Sequence, residues 1–245
     1  MTSPLLEVKD LGKRFGGFSA LSNVNLSVER GERVGLIGPN GSGKSTFVNC
    51  LCGALRHETG TIEFDGRPML NLPPHQRTRH GMARSFQLPR PFVSLTLAQN
   101  LRIPSLYAAA FKSGKRPSEE EIQHRCAELL RLVGLLPKAS KRPNELTQVE
   151  MRKAELARAM ATDPKLLIAD EAMAGLSNAE VDEILRLMFT LNERGITIIF
   201  IEHIMRAVMQ FSERLVVLMA GQKIADGLPL EVIRHPEVER AYLGQ

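Results

Sequence analysis

The run Gly38-Pro39-Asn40-Gly41-Ser42-Gly43-Lys44-Ser45-Thr46 has the residue types and spacing that chemistry on phosphate groups requires. Gly41 and Gly43 permit the backbone to bend so that successive N–H groups converge on phosphate oxygens. Lys44 would place a positive charge at the β- and γ-phosphates, and the Ser45 hydroxyl is positioned for Mg²⁺. The unbroken apolar run Val34–Ile37 precedes the loop, and a helix through Phe47, Leu51 and Ala54 is expected after it. The partial positive charge at that helix N-terminus would add to the site. The expected ligand is a nucleoside triphosphate, ATP with Mg²⁺.

A second candidate is Leu166-Leu167-Ile168-Ala169-Asp170-Glu171. An acid at the carboxyl end of a buried parallel strand lies where ligands collect in such sheets. Asp170 would hold Mg²⁺ through water, and Glu171 would orient and polarise the attacking water. Alone, an apolar run ending in Asp-Glu usually marks a strand meeting solvent. The upstream loop makes the functional reading the better one.

These groups need a scaffold. Residues 5–9 alternate, Gly16-Gly17 marks a turn, and Val24, Leu26 and Val28 point one way, so the opening reads as antiparallel β structure. Val34–Ile37 suits a strand buried on both faces. From about residue 88 to 162 the pattern turns helical. Ser118 with Glu121 and Thr147 with Glu150 have the form of capping boxes, and Gly134 sits where a helix C-terminal glycine belongs. KSGKRP at 112–117 reads as an exposed breaker loop. Beyond Asp163-Pro164 a strand at Leu166–Ala169, a helix at Ser177–Leu191 and strands at Ile196–Ile201 and Leu215–Leu218 imply a parallel sheet. The expected fold is α/β, with a mostly parallel core sheet, an antiparallel β edge and an inserted helical subdomain. Residues 1–86 and 163–245 form the core of this single domain, and 87–162 the helical part.

Bulk properties narrow the class. Hydrophobic residues at 43% and charged residues at 24% suit a globular chain, and no apolar run is long enough to span a bilayer. The opening MTSPLLEVKD lacks the features of a secretory signal, and three cysteines do not read as a disulfide framework, so cytoplasm is the expected compartment. Cys50 and Cys52 are expected to pack as small apolar residues. The net charge is +5, yet the chain has no Trp and only two Tyr, which speaks against nucleic-acid binding. The basic cluster Arg77, Arg79, Arg84 and Arg90 reads as a solvated or phosphate-facing surface.

Together, the phosphate loop and the acidic strand end place the chain among P-loop ATPases. Over nearly its whole length it resembles the ATP-binding-cassette (ABC) ATPases. The resemblance implies that Phe15 lies against the adenine ring. Gln87, in ARSFQLPRPF, would contact Mg²⁺ and the attacking water and face a membrane partner. His203, in IIFIEH, would contact the γ-phosphate as a switch histidine. It also implies partners: transmembrane permease subunits, a second ATPase chain, and indirectly a periplasmic or extracellular solute-binding protein. The chain would lie on the cytoplasmic face of the membrane without entering it.

Two departures stand out. The family signature Leu-Ser-Gly-Gly-Gln reads here Leu146-Thr147-Gln148-Val149-Glu150, which removes both glycines and brings a negative charge toward the place of a partner-held γ-phosphate. After Glu171 the family's Pro is Ala172, and its Ser-Ala-Leu-Asp is Ala174-Gly175-Leu176-Ser177. The Ala-Gly-Leu turn, RSFQLPRPFVSLTLAQNL and GLPLEVIRHPEVERAYLG are similar to the polar and branched-chain amino-acid importers, in particular to their longer ATPase subunit. The alternatives are a cassette protein of non-transport function or a regulatory module that hydrolyses weakly. A GTPase is disfavoured, because no Asn-Lys-x-Asp motif is present.

Overall fold

The computed structural model describes residues 3–85, 91–114 and 117–243. Two sheets organise the chain. Strands β1 (Leu6–Phe15) and β2 (Phe18–Val28) form a hairpin in which Leu6 opposes Val28 and Val8 opposes Leu26. In β2, Val24, Leu26 and Val28 are buried while Asn23, Asn25 and Ser27 face water, the alternation of a half-buried strand. With β4 (Thr59–Phe64) and β5 (Arg67–Pro68) they complete a four-stranded antiparallel sheet of order β2-β1-β4-β5.

The second sheet has six strands in the order β10-β9-β3-β8-β7-β6. Its members are β3 (Arg33–Ile37), β6 (Met82–Ser85), β7 (Leu166–Asp170), β8 (Thr197–Ile201), β9 (Arg214–Met219) and β10 (Gln222–Gly227). All pairings among them are parallel except β9 with the edge strand β10. The central strands are apolar throughout because both faces are covered. On one face Leu167, Ala169, Ile198, Phe200, Leu215 and Val217 join a core with α5 (Gln148–Met160), α6 (Asn178–Glu193) and α7 (Met205–Phe211). On the other face Leu166, Ile168, Ile199, Ile201, Val216 and Leu218 pack with α1 (Lys44–Leu51) and the antiparallel sheet.

Between β6 and β7 run α3 (Leu97–Ser113), α4 (Glu119–Leu132) and α5. Short helices α2 (Pro74–Arg79), α8 (Pro229–Val232) and α9 (Pro236–Leu243) complete the chain. Capping boxes at Ser118–Glu121 and Thr147–Glu150 are present as expected, and Gly134 follows α4 at φ 72°. Two further boxes, Thr96–Gln99 and Ser177–Glu180, were legible as T-x-x-Q and S-x-x-E.

Several boundaries differ from expectation. Helix α1 stops at Leu51, so Ala54 lies in the turn beyond it. The cause is Gly53 at φ 75° together with Arg77, whose guanidinium donates to the Cys50 and Leu51 carbonyls at 2.7 and 2.6 Å. Helix α3 continues through Ser113 and ends on Gly114, so Lys112 and Ser113 are helical rather than part of a breaker loop. Lys115 and Arg116 lie outside the described residues. Ser177 is the N-cap of α6 rather than its first residue, and β8 begins at Thr197.

Candidate functional site

Three neighbouring parallel strands, β3, β8 and β7, end on the same edge of the large sheet, and each gives way there to polar residues. After β3 comes the loop Gly38-Pro39-Asn40-Gly41-Ser42-Gly43. Gly41 and Gly43 adopt φ 79° and 104°, and a Cβ on Gly43 would stand 2.8 Å from the Ala20 carbonyl oxygen. That curvature therefore needs glycine. Asn40, Gly41 and Ser45 are exposed at the rim, Thr46 is half-buried in the first turn of α1, and Ser42 and Lys44 are buried. Lys44 Nζ donates to the carbonyls of Gly38 at 2.6 Å and Pro39 at 3.0 Å. Burial pushes its ammonium below the ordinary value, while the charges of Glu171 and Asp170 pull it back up.

After β7 stand Asp170 and Glu171; after β8 stand Glu202 and His203. His203 Nε2 lies 3.0 Å from Glu171 Oε1, across the gap between two strand ends. Glu171 takes a left-handed backbone, φ 49°, with its N–H donated to the Ile201 carbonyl at 2.9 Å. Left-handed backbone is uncommon for residues other than glycine and concentrates at functional sites. The chain thus brings the expected groups Lys44, Asp170, Glu171 and His203 to one sheet edge. Gln87 lies outside the described residues.

Phe15 ends β1 and is 48% exposed, so it is not a core residue; Lys13 Nζ sits 5.1 Å from its ring centroid. An exposed aromatic with a cation beside it can stack on a flat ring.

Two sets of contacts at the site were not foreseen from the sequence. Arg84 Nη2 donates to Asp170 Oδ2 at 2.6 Å and its Nη1 to Asn49 Oδ1 at 2.7 Å. No local pattern betrays a pair separated by 86 positions. Glu202 is 3% exposed and accepts the Met173 N–H at 2.8 Å. Its sequence signal was available: an acid directly after the apolar run of β8 and before His203. The basic cluster also needs correction, because Arg77 is buried and donates to four backbone carbonyls, those of Met69, Leu72, Cys50 and Leu51. Arg84 faces a carboxylate rather than solvent, and Arg90 lies outside the described residues. Cys50 is fully buried, whereas Cys52 is only partly so; burial pushes both thiols up to about 11, which suits inert packing.

The altered turn 146–150 opens α5. Glu150 Oε2 accepts the Thr147 N–H at 3.0 Å, and Glu150 Oε1 pairs with Lys138 Nζ at 2.6 Å. The Lys138 ammonium holds the Glu150 carboxyl below its ordinary range. The negative charge anticipated there is balanced within the chain.

These residues fit a phosphorylated ligand and a hard divalent cation. Helices α3, α4, α5 and α6 are capped by their own side chains, but the N-terminus of α1 has no side-chain cap and no acid in its first turn. Its N–H groups can donate to phosphate oxygens. Among the described residues no three His, Cys, Asp or Glu side chains converge as a metal cage. Mg²⁺ commonly takes one or two protein oxygens plus substrate phosphates, and Ser45 and Asp170 supply such oxygens.

The family model described as ABC transporter matches residues 21–174. The chain is 39% identical, over the whole of both proteins, to the high-affinity branched-chain amino acid transport ATP-binding protein BraF of Pseudomonas aeruginosa. It is equally similar, at 39% and full coverage, to the corresponding protein LivG of Escherichia coli. Among solved structures, the ADP conformation of an ATP-binding cassette of an ABC transporter superposes with TM-score 0.89 at 31% identity, covering 100% of both chains. A dimeric cassette in a post-hydrolysis state, bound to ADP and Pi, gives TM-score 0.80 at 27% identity, covering 91% of this chain and 98% of that one.

Proposed function

Because the chain belongs to the ABC transporter family, we propose that it is the ATP-binding and ATP-hydrolysing subunit of an importer for branched-chain or other amino acids, or a related amide. The observation that carries the reading is the pairing of Glu171 with His203 at the edge where the 38–46 loop also opens. Full-length similarity to branched-chain amino acid transport ATP-binding proteins supports the solute class.

In this reading the α1 N-terminus and Lys44 hold the β- and γ-phosphates, and Phe15 stacks on the base. Ser45, Asp170 and Gln87 hold Mg²⁺, which supplies charge neutralisation on the phosphates. Glu171 accepts a proton from the attacking water as its oxygen bonds to the γ-phosphorus and the β–γ bridging bond breaks to release ADP. His203 orients Glu171 and faces the γ-phosphate. A second ATPase chain completes the site, as the dimeric relative suggests.

No helix among the described residues is long and apolar enough to cross a membrane. The chain would act from the inner membrane face against permease subunits. Between α2 and α3, Tyr107 is 63% exposed beside His75, Thr78, Arg79 and Pro104, and this hollow is a suitable permease seat.

A second reading, a weakly hydrolysing regulatory cassette, draws on the loss of both signature glycines at Gln148 and Val149. One experiment separates them: phosphate release and amino-acid uptake by the chain reconstituted with its permeases and binding protein. ATP-dependent uptake that Glu171→Gln abolishes, with ATP binding retained and turnover down at least ~100-fold, is expected. Wild-type turnover in Glu171→Gln would overturn the role of Glu171, and ATP binding without phosphate release in the full complex would favour the regulatory cassette.

A further inference from the structure

Pairing between β7 and β8 ends where the Glu171 N–H reaches the Ile201 carbonyl. Beyond that point the chain leaves the sheet through the left-handed Glu171, and the Met173 N–H has lost its strand partner. A buried side chain supplies the acceptor instead: Glu202 Oε1, 2.8 Å from Met173 N. Glu202 itself directly precedes His203 in the turn after β8. One carboxylate therefore ties the backbone just after Glu171 to the turn that carries His203. The directions of those two side chains depend on just these backbone segments.

The same loop is held from the opposite side by α5. The Ala174 carbonyl accepts from Gln148 Nε2 at 3.2 Å and from Arg152 Nη2 at 3.3 Å. The contact is close, since a Cβ on Gly175 would stand 2.6 Å from Gln148 Nε2. Arg152 is buried and its positive charge acts on Glu202. The 171–176 loop is thus clasped between the end of β8 and the first turns of α5.

We propose that Glu202 is a positioning residue for the Glu171–His203 pair, tying the loop after β7 to the turn after β8 while Arg152 and Gln148 press that loop against it from α5. The inference rests on the ATPase reading above. Removing the carboxylate frees the Met173 N–H and lets Glu171 and His203 drift apart, while the 38–46 loop on β3 keeps its own hydrogen bonds. Misplacement on the ångström scale can slow a chemical step about 100-fold without a matching change in ligand binding.

The test is steady-state ATP hydrolysis by the reconstituted complex carrying Glu202→Ala, Glu202→Asp or Glu202→Gln, with nucleotide affinity measured alongside. Glu202→Ala should lower kcat at least ~10-fold with KM and nucleotide affinity within about twofold of wild type. Glu202→Gln, which keeps an acceptor oxygen at the same reach, should retain more than about half of kcat. Glu202→Asp, one methylene short, should fall between them, and it decides the matter if the alanine variant does not fold. Unchanged kcat in Glu202→Ala or Glu202→Asp, or equal losses in kcat and nucleotide affinity, would overturn the positioning role alone. Absence of turnover in the wild-type complex would overturn the ATPase reading with it.

Discussion

The guanidinium of Arg84 joins three elements: Nη2 donates to Asp170 Oδ2 at 2.6 Å, and Nη1 to Asn49 Oδ1 at 2.7 Å, so that β6, β7 and α1 meet. The ion pair is largely buried, with side chains 17% and 10% exposed. Removing one partner of such a pair leaves the other charge without compensation. Arg84→Ala should therefore lower unfolding free energy by about 3 kcal/mol in urea titration. Arg84→Lys should recover less than half, since a compact ammonium lacks the planar fork whose two nitrogens reach the separate acceptors. A loss under about 0.5 kcal/mol for the alanine variant would show that the pair contributes little.

Glu171 holds a left-handed backbone at φ 49°, a conformation costly for a residue with a Cβ. The strain is tied to its placement, because its N–H closes the β7–β8 ladder at Ile201. Glu171→Gly should be more stable than Glu171→Ala by about 0.5–1 kcal/mol, the relieved strain exceeding glycine's unfolded-state entropy. Thermal or urea unfolding of the two variants checks this, and an alanine variant at least as stable would mean the backbone relaxes there.

Burial raises the Glu202 carboxyl to about 7, with the charge of Glu171 adding to the effect and Arg152 and two backbone N–H groups opposing it. His203 comes directly after it in the chain. The folded protein thus binds this proton more tightly than the unfolded chain, whose carboxyl titrates near ~4.3. The resulting stability is complete below the unfolded value and is lost as pH climbs from about 4.3 through about 7. Glu202→Gln, which cannot ionise, should lack this slope. Unfolding free energies compared at about pH 5 and about pH 8 should shift in favour of the variant at the higher pH. A constant difference between the two would contradict a raised Glu202.

Phe15 is exposed at the end of β1 with Lys13 beside its ring. If the ring carries the nucleotide base, Phe15→Ala should weaken ATP binding about 5-fold, near 1 kcal/mol, with little change in stability. The chain has no Trp, so Phe15→Trp both restores stacking and creates a lone fluorophore at the site. Its emission should change on nucleotide addition; an unresponsive Trp with unaltered affinity would remove Phe15 from the site.

Much of this protein was determined by local pattern. The glycine spacing of 38–46, the apolar runs at 34–37, 166–169 and 196–201, and the capping boxes at 118 and 147 depend on neighbours along the chain, whose periodicity and backbone limits are local properties. So is the placement of Asp170, Glu171 and His203 at strand ends, because an apolar run that meets polar residues marks an edge. Tertiary structure decided what those groups touch. Arg77 looked like a surface cation until the end of α1 and the 69–72 turn arrived to offer it carbonyls. Glu150 looked like a repulsive charge until Lys138 closed on it. Glu202 gains its partner only because strand order places β8 between β3 and β7 and buries its carboxylate where Met173 has lost a strand partner. Hydrogen bonds and ion pairs between residues far apart in sequence carry no periodic trace, since their geometry exists only once the sheet has set the order of its strands.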